Sequence, residues 1–393
     1  MTKSDDVDAC TPIRQPGLMS RLAYERLSST ASSGVTHPRR PSRYAHVDAL
    51  RALAVLIVVF SHAGLGSFIP GSSGVTIFFV ISGFVITTVL LRERKNTGGF
   101  SPSRFYMRRL FKLMPPFVLI IVLPTLVYSL FRTIDWHLFL SQVFFGFNFF
   151  YMNGVEQGVL PGSGIVWSLA IEEQFYIVFA LYWLMAAKKP NYRRYLLVLS
   201  AIICSTSLAL RVAYFTQGTD SIRFLYGTDT RADSIAIGVL AAIVFAERES
   251  GQRWVGRVSR PLASNWSLLA VVCLFGLSVA FRSDFYKDTL RFTVESSATA
   301  VLILYGLLRS SGAVRACLGS ISNLRIVQVI GLSSYSIYLI HLIVFNALAD
   351  GVGQWPLLYR VALLVTAGVL PGILVWRLIE EPALHLRRKL MHE

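Results

Sequence analysis

HVDALRALAVLIVVFSHAG, residues 46–64, decides how the rest of the chain is read. It is long and apolar enough to cross a hydrocarbon core about 30 Å thick. It nevertheless carries Asp48 and Arg51 near one end and His62 near the other. An ionisable side chain inside a span costs roughly 2.5–3.5 kcal/mol on insertion scales, so each one asks for a reason. Arg51 and His62 are eleven residues apart, close to three helical turns, so both project from one face. At 1.5 Å per residue, His62 lies about 16 Å deeper than Arg51. Asp48, one turn earlier, can pair with Arg51. A single histidine in an apolar helix is often a packed core residue; the arginine on its stripe argues for a functional one. Histidine is also the side chain best placed to act as a general base near neutral pH.

Outward from this helix the same pattern repeats. Hydrophobic residues make up 54% of the chain and charged residues 15%, with a mean hydropathy of +0.55; a soluble domain carries closer to a quarter charged residues. Ten spans are expected, at roughly 48–66, 74–92, 115–132, 164–187, 195–215, 231–246, 266–282, 291–309, 326–348 and 358–379. The fold class is therefore an all-α, polytopic membrane bundle. The aromatic run 136–152 is interrupted by Gly146 and Asn148 and reads as an interfacial or re-entrant segment. Residues 1–43, polar and rich in Ser, Arg and Pro, read as a disordered cytoplasmic tail without the apolar core of a signal peptide. Residues 44–385 form the membrane domain, and 386–393 a short cytoplasmic tail.

The net charge of +16 is distributed in a way that excludes nucleic acid. Basic residues gather in alternate connections: Arg39, Arg40 and Arg43; Arg92 to Lys112; Lys188 to Arg194; Arg248 to Arg260; and Arg387 to Lys389. The opposite connections are poorer in base, and 133–163 has no Lys or Arg. By the positive-inside rule, ten spans then place both termini in the cytoplasm, as expected for a bacterial inner-membrane protein. Cys10, Cys204, Cys273 and Cys317 lie far apart without metal spacing, so neither a disulfide framework nor a metal site is expected.

Five further stretches put polar groups where lipid would otherwise be. In the second span, GVTIFFVISGF (74–84), Gly74, Ser82 and Gly83 let a helix or a ligand approach the backbone. FYMRRLFKLMPP (105–116) gathers Arg108, Arg109 and Lys112 where the chain enters the third span, either as a solvated loop or as a clamp for phosphates. The fourth span opens WSLAIEEQFY (167–176), where Ser168, Glu172 and Tyr176 share a face at i, i+4 and i+8. Glu172 and Glu173 cannot both face lipid; acid/base work, hydroxyl binding and pairing with an arginine all suit them. Arg231 and Asp233 begin the sixth span and read as a structural ion pair. In the ninth, Ser334, Tyr338 and His341 form a polar stripe at i, i+4 and i+7.

Together these stretches resemble the acyltransferase-3 family of multi-pass membrane acyltransferases. The matching strings are DALRALAVLIVVFSH, FFVISGF, FYMRRLFKLMPP, WSLAIEEQFY, RADSIAIG and SYSIYLIH, in that order, over about 44–385. The resemblance implies transfer of an acyl group, commonly acetyl from cytoplasmic acyl-CoA, to a carbohydrate or glycolipid acceptor. The family's Arg-x10-His feature falls on Arg51 and His62, which implies that His62 is catalytic. Its basic element falls on Arg109 and Lys112, with Lys at the second position and Arg108 beside it; these would hold the CoA phosphates. Glu172 or Glu173 would assist as acid, base or hydroxyl-orienting group. Asp48, Ser82, Trp167, Ser168, Tyr176, Arg231, Asp233, Ser334, Tyr338 and His341 complete the supporting set. Many members carry an acid where this chain has Thr76. A transporter or flippase for a glycolipid or small metabolite is the competing reading, since buried charges and ten spans fit it equally. A non-catalytic scaffold would leave Arg51 and His62 without a purpose.

Overall fold

A computed structural model describes residues 44–391 apart from Glu156, Gln252 and 309–311. The expected tail 1–43 lies outside the described residues.

The first span, α1 (Ala45–Phe60), ends in a widened π turn over Ser61–Leu65, and α2 (Gly71–Thr97) returns beside it. The turn between them is held by the Gly71 amide, which donates to Ser61 Oγ at 3.0 Å. α3 (Pro102–Phe117) starts on a Ser101 cap with Pro102 in its first turn, and continues through a second π turn to Ser129. Pro115 and Pro116 remove helical N–H donors in its middle, which explains the loosened turn that follows. The basic cluster is thus part of this helix, not of a connection before it.

The aromatic run breaks at Phe145, which has a positive φ of 56°, into α4 (Trp136–Val143) and α5 (Phe147–Tyr151). Eight and five residues are too short to cross. Next come α6 (Trp167–Ala186), α7 (Tyr192–Thr216), a short α8 (Ser221–Tyr226) and α9 (Thr228–Glu249). Then follow α10 (Arg253–Leu262), α11 (Asn265–Ala280), α12 (Arg291–Leu307) and α13 (Ala313–Asn323). The chain closes with α14 (Arg325–Val352), α15 (Leu357–Val375) and α16 (Glu381–Leu390), so a helix continues into the expected C-terminal tail.

Among the described residues, eight helices are long and apolar enough to cross a membrane, or nine if the pair α10–α11, bent by 67°, counts as one span. Every one of the ten expected segments coincides with a helix. The segment that fails the apolar test is α9, which carries Asp229, Arg231, Asp233, Glu247, Arg248 and Glu249. It is tolerated because α2, α7 and α12 surround it and supply partners for the charges.

The crossing of α2 and α9 shows how tightly the core is drawn. A Cβ on Gly83 would stand 2.0 Å from the Ile235 carbonyl oxygen, and one on Gly238 would stand 2.1 Å from that of Val80. Each glycine admits the other helix's backbone, the small-residue packing typical of membrane helices. α1 runs against α14, where Gly331 receives the backbone of Asp48. That pairing brings the far ends of the two helices together as well.

Candidate active site

His62 sits in the π turn at the end of α1, a distortion that frees a side chain from regular packing and recurs at functional sites. It is the exposed member of a pair of imidazoles that meet edge to edge, their ring planes 27° apart. Its Nδ1 lies 3.0 Å from Nε2 of His341, which is fully buried on α14. His341 Nδ1 in turn meets the carbonyl oxygens of Tyr338 at 2.8 Å and Ile337 at 3.3 Å.

The open side of His62 faces a cavity of about 90 Å³. Its wall includes Tyr151, Trp167, Tyr226 and Tyr338, with Ser72 and the backbone of Gly71 opposite. This is smaller than the roughly 300–1,000 Å³ of typical ligand pockets and suits a short acyl group and the hydroxyl beside it. Trp167 is set edge-on to Tyr226, with ring centres 4.7 Å apart. Tyr338 is fixed by a 2.7 Å hydrogen bond to Ser168. Ser334, buried on α14, is not part of the cavity wall.

A line of polar groups runs from this cavity along one face of α6. Ser168 reaches Tyr338; four residues on, Glu172 accepts from Ser82 at 2.8 Å; four further, the Tyr176 hydroxyl donates to Ser82 at 2.6 Å. The expected i, i+4, i+8 face is therefore present, and eight residues carry it about 12 Å through the bundle. Ser82 belongs to this network in addition to packing. Glu173, next in sequence, makes its own ion pair with Arg109.

Arg109 also stacks on the Tyr176 ring, its guanidinium carbon 3.6 Å from the ring centre. Lys112 pairs with Glu380, whose other oxygen accepts from Ser336 at 2.7 Å. Arg108 lies 3.5 Å from Glu93. The three cations read as a phosphate clamp are thus each engaged by a carboxylate of the bundle. Arg51 stands at the other end of α1 from His62, 3.5 Å from Asp48, as the spacing requires.

The expected ion pair of Arg231 with Asp233 is not formed. Two residues apart on a helix, their side chains leave on different sides. Asp233 pairs with Arg211 of α7 at 2.7 Å, both fully buried, and also accepts from Thr293 at 2.8 Å. Arg231 donates to Thr76 at 3.0 Å and lies over the Phe292 ring at 3.8 Å. Beside it Arg291 donates to Ser72 Oγ at 2.6 Å, and Glu295 accepts from Ser73 at 2.8 Å. Sequence reasoning missed Arg211, Arg291, Glu295 and Glu380. An arginine near the end of the apolar run 195–215 was signal enough for Arg211. Tyr151 and Tyr226 gave none, because aromatics abound at membrane interfaces.

Comparison with known proteins shows which family the chain belongs to. The chain is 29% identical over 363 residues to the peptidoglycan O-acetyltransferase OatA of Listeria monocytogenes, covering 88% of this chain and 57% of that protein. It is 28% identical over 352 residues to a putative peptidoglycan O-acetyltransferase of Bacillus subtilis, covering 86% and 54%. A putative O-acetyltransferase of Staphylococcus aureus is 31% identical over 224 residues, covering 54% and 37%. The chain spans about half the length of the curated relatives it matches over most of its own length. Residues 44–377 match the model of the acyltransferase-3 domain, and the chain belongs to that family.

Proposed function

We propose that the protein is an O-acyltransferase that moves an acyl group, with acetyl the first expectation, from acyl-CoA to a hydroxyl of a carbohydrate-type acceptor such as a cell-surface polysaccharide or glycolipid. The observation that carries this reading is His62, an imidazole open to a small aromatic-walled cavity and backed by a second imidazole. The flat faces and polar rims of Tyr151, Trp167, Tyr226 and Tyr338 suit a sugar, with its apolar C–H faces and hydroxyl edges. Two relatives are named for O-acetylation of peptidoglycan, a carbohydrate polymer.

In this reading His62 takes the proton of the acceptor hydroxyl as its oxygen attacks the thioester carbonyl. The C–S bond breaks, the proton passes to the leaving thiolate, and the products are an ester and free CoA. Glu172, held by Ser82, helps orient the hydroxyl network leading from the cavity. Positive-inside bias sets the basic start of α3 in the cytoplasm of a bacterial inner membrane and the His62 end on the opposite side. Lys112 and Arg108 keep 34% and 26% of their side-chain surface exposed, so CoA phosphates would compete there with Glu380 and Glu93. An acyl-imidazole on His62 is the alternative route, and trapping labelled enzyme after an acid quench separates the two.

The test is radiolabelled acetyl-CoA given to membranes that contain the wild type or His62→Ala. Label entering the polymer fraction only with the wild type is expected. Equal labelling from both removes the catalytic assignment, and substrate movement without labelling favours a transporter.

A further inference from the structure

Seven histidines are present in the chain, and two of them touch nitrogen to nitrogen at the cavity. Hydrogen bonding at that contact admits one arrangement of protons for a neutral pair. A carbonyl oxygen only accepts, so His341 Nδ1, facing the carbonyls of Tyr338 and Ile337, carries its proton. Its Nε2 is then a bare lone pair. His62 Nδ1, 3.0 Å away, must be the donor, because two lone pairs at that distance repel. The remaining nitrogen of His62, Nε2, is left unprotonated on a side chain that lines the cavity.

From this geometry we infer that His341 is a positioning residue: it anchors on the α14 backbone and holds His62 in the tautomer whose Nε2 is free to take the acceptor's proton. The inference rests on the acyl-transfer reading above. A neutral imidazole does here what a carboxylate does in hydrolase triads, fixing tautomer and ring plane without adding charge beneath the cavity. When His62 becomes an imidazolium, its Nδ1 proton stays on His62 and is donated to Nε2 of His341. His341 itself is fully buried, whereas His62 lines the cavity, so the charge rests on the ring that meets the cavity. The frame around the pair is rigid, since the Tyr338 that offers its carbonyl is fixed through its hydroxyl to Ser168.

Two measurements test it on the full-length protein. In nitrogen NMR of histidine-labelled protein in lipid, the resonances lost in His62→Ala identify His62, and a proton on Nδ1 is expected. A proton on Nε2 instead overturns the inference. In the transfer assay, His341→Ala and His341→Phe are expected to lower kcat about 10²-fold, with the acetyl-CoA KM within about twofold. His341→Gln, whose amide oxygen can accept from Nδ1, retains activity within about tenfold of wild type. A fully active His341→Phe overturns the inference, because the ring then only fills space. If His62→Ala abolishes transfer while all three His341 variants are unimpaired, this inference fails and the acyl-transfer reading stands. If His62→Ala is also unimpaired, that reading fails.

Discussion

Two sides of α2 carry very different chemistry. Towards the cavity, Ser72 and Val75 face His62 across a space walled by neutral rings, and among the described residues no Asp, Glu, Lys or Arg stands in the wall. Away from it, the same helix meets the guanidiniums of Arg231 and Arg291 and the carboxylate of Glu295, with the Arg211–Asp233 pair joining α7 to α9 behind them, all in or near the protein interior. Arg291 reaches Ser72 and Arg231 reaches Thr76, so the charged layer is tied directly to the cavity's back wall. The comparison teaches that buried charge in this bundle mostly holds helices together. The imidazole that lines the cavity stands apart from those charges. A charged base at the cavity would have to be desolvated for each turnover; an imidazole is charged only while it holds the proton.

The sharpest way to break this comparison is to remove the open imidazole. His62→Ala is expected to reduce transfer about 10³-fold, with stability lowered by only about 1 kcal/mol for the lost hydrogen bond to His341. A large fall in the transition temperature instead would assign His62 to structure. On the other side of α2, Asp233→Ala strands the fully buried Arg211. A loss of about 3–5 kcal/mol is expected, read as a lower transition temperature and reduced folded yield, while turnover per folded molecule changes little. Thr76→Asp should act in the opposite sense, giving Arg231 a carboxylate in place of a hydroxyl. A gain of about 1–2 kcal/mol is expected from a hydrogen bond between charged groups, and destabilisation would show that the new carboxylate's desolvation outweighs it. Ser168→Ala removes one hydrogen bond to Tyr338 and should cost about 1 kcal/mol. It sharpens the comparison only if turnover falls further than stability does, since Tyr338 belongs to both the cavity wall and the frame of His341.

Much of the candidate site was legible in the chain. His62 and Arg51 were visible as a stripe because a membrane helix makes any ionisable residue conspicuous, and Ser168, Glu172 and Tyr176 were visible through their four-residue spacing. Tyr338 and His341 stood out in the same way. Partners were not legible. Glu172 and Glu173 adjoin in sequence, but successive side chains on a helix leave about 100° apart, so one meets Ser82 and the other Arg109. The same geometry separated Arg231 from Asp233. The basic cluster 108–112 looked available because it begins a span, yet Glu93, Glu173 and Glu380 arrive from three other helices to engage it.

The amino-acid sequence by itself determined that this is a many-helix membrane protein and which helix faces are polar. Hydropathy and helical period are local properties, and a bilayer leaves few alternatives for segments of this length. Only the packing of α14 against α1 decided that His341 lies under His62. Only the packing of α2 against α9 brought Arg231 to Thr76. Those contacts depend on where two distant backbones meet, at Gly331 beside Asp48 and at Gly83 beside Ile235, and no local pattern records the meeting point.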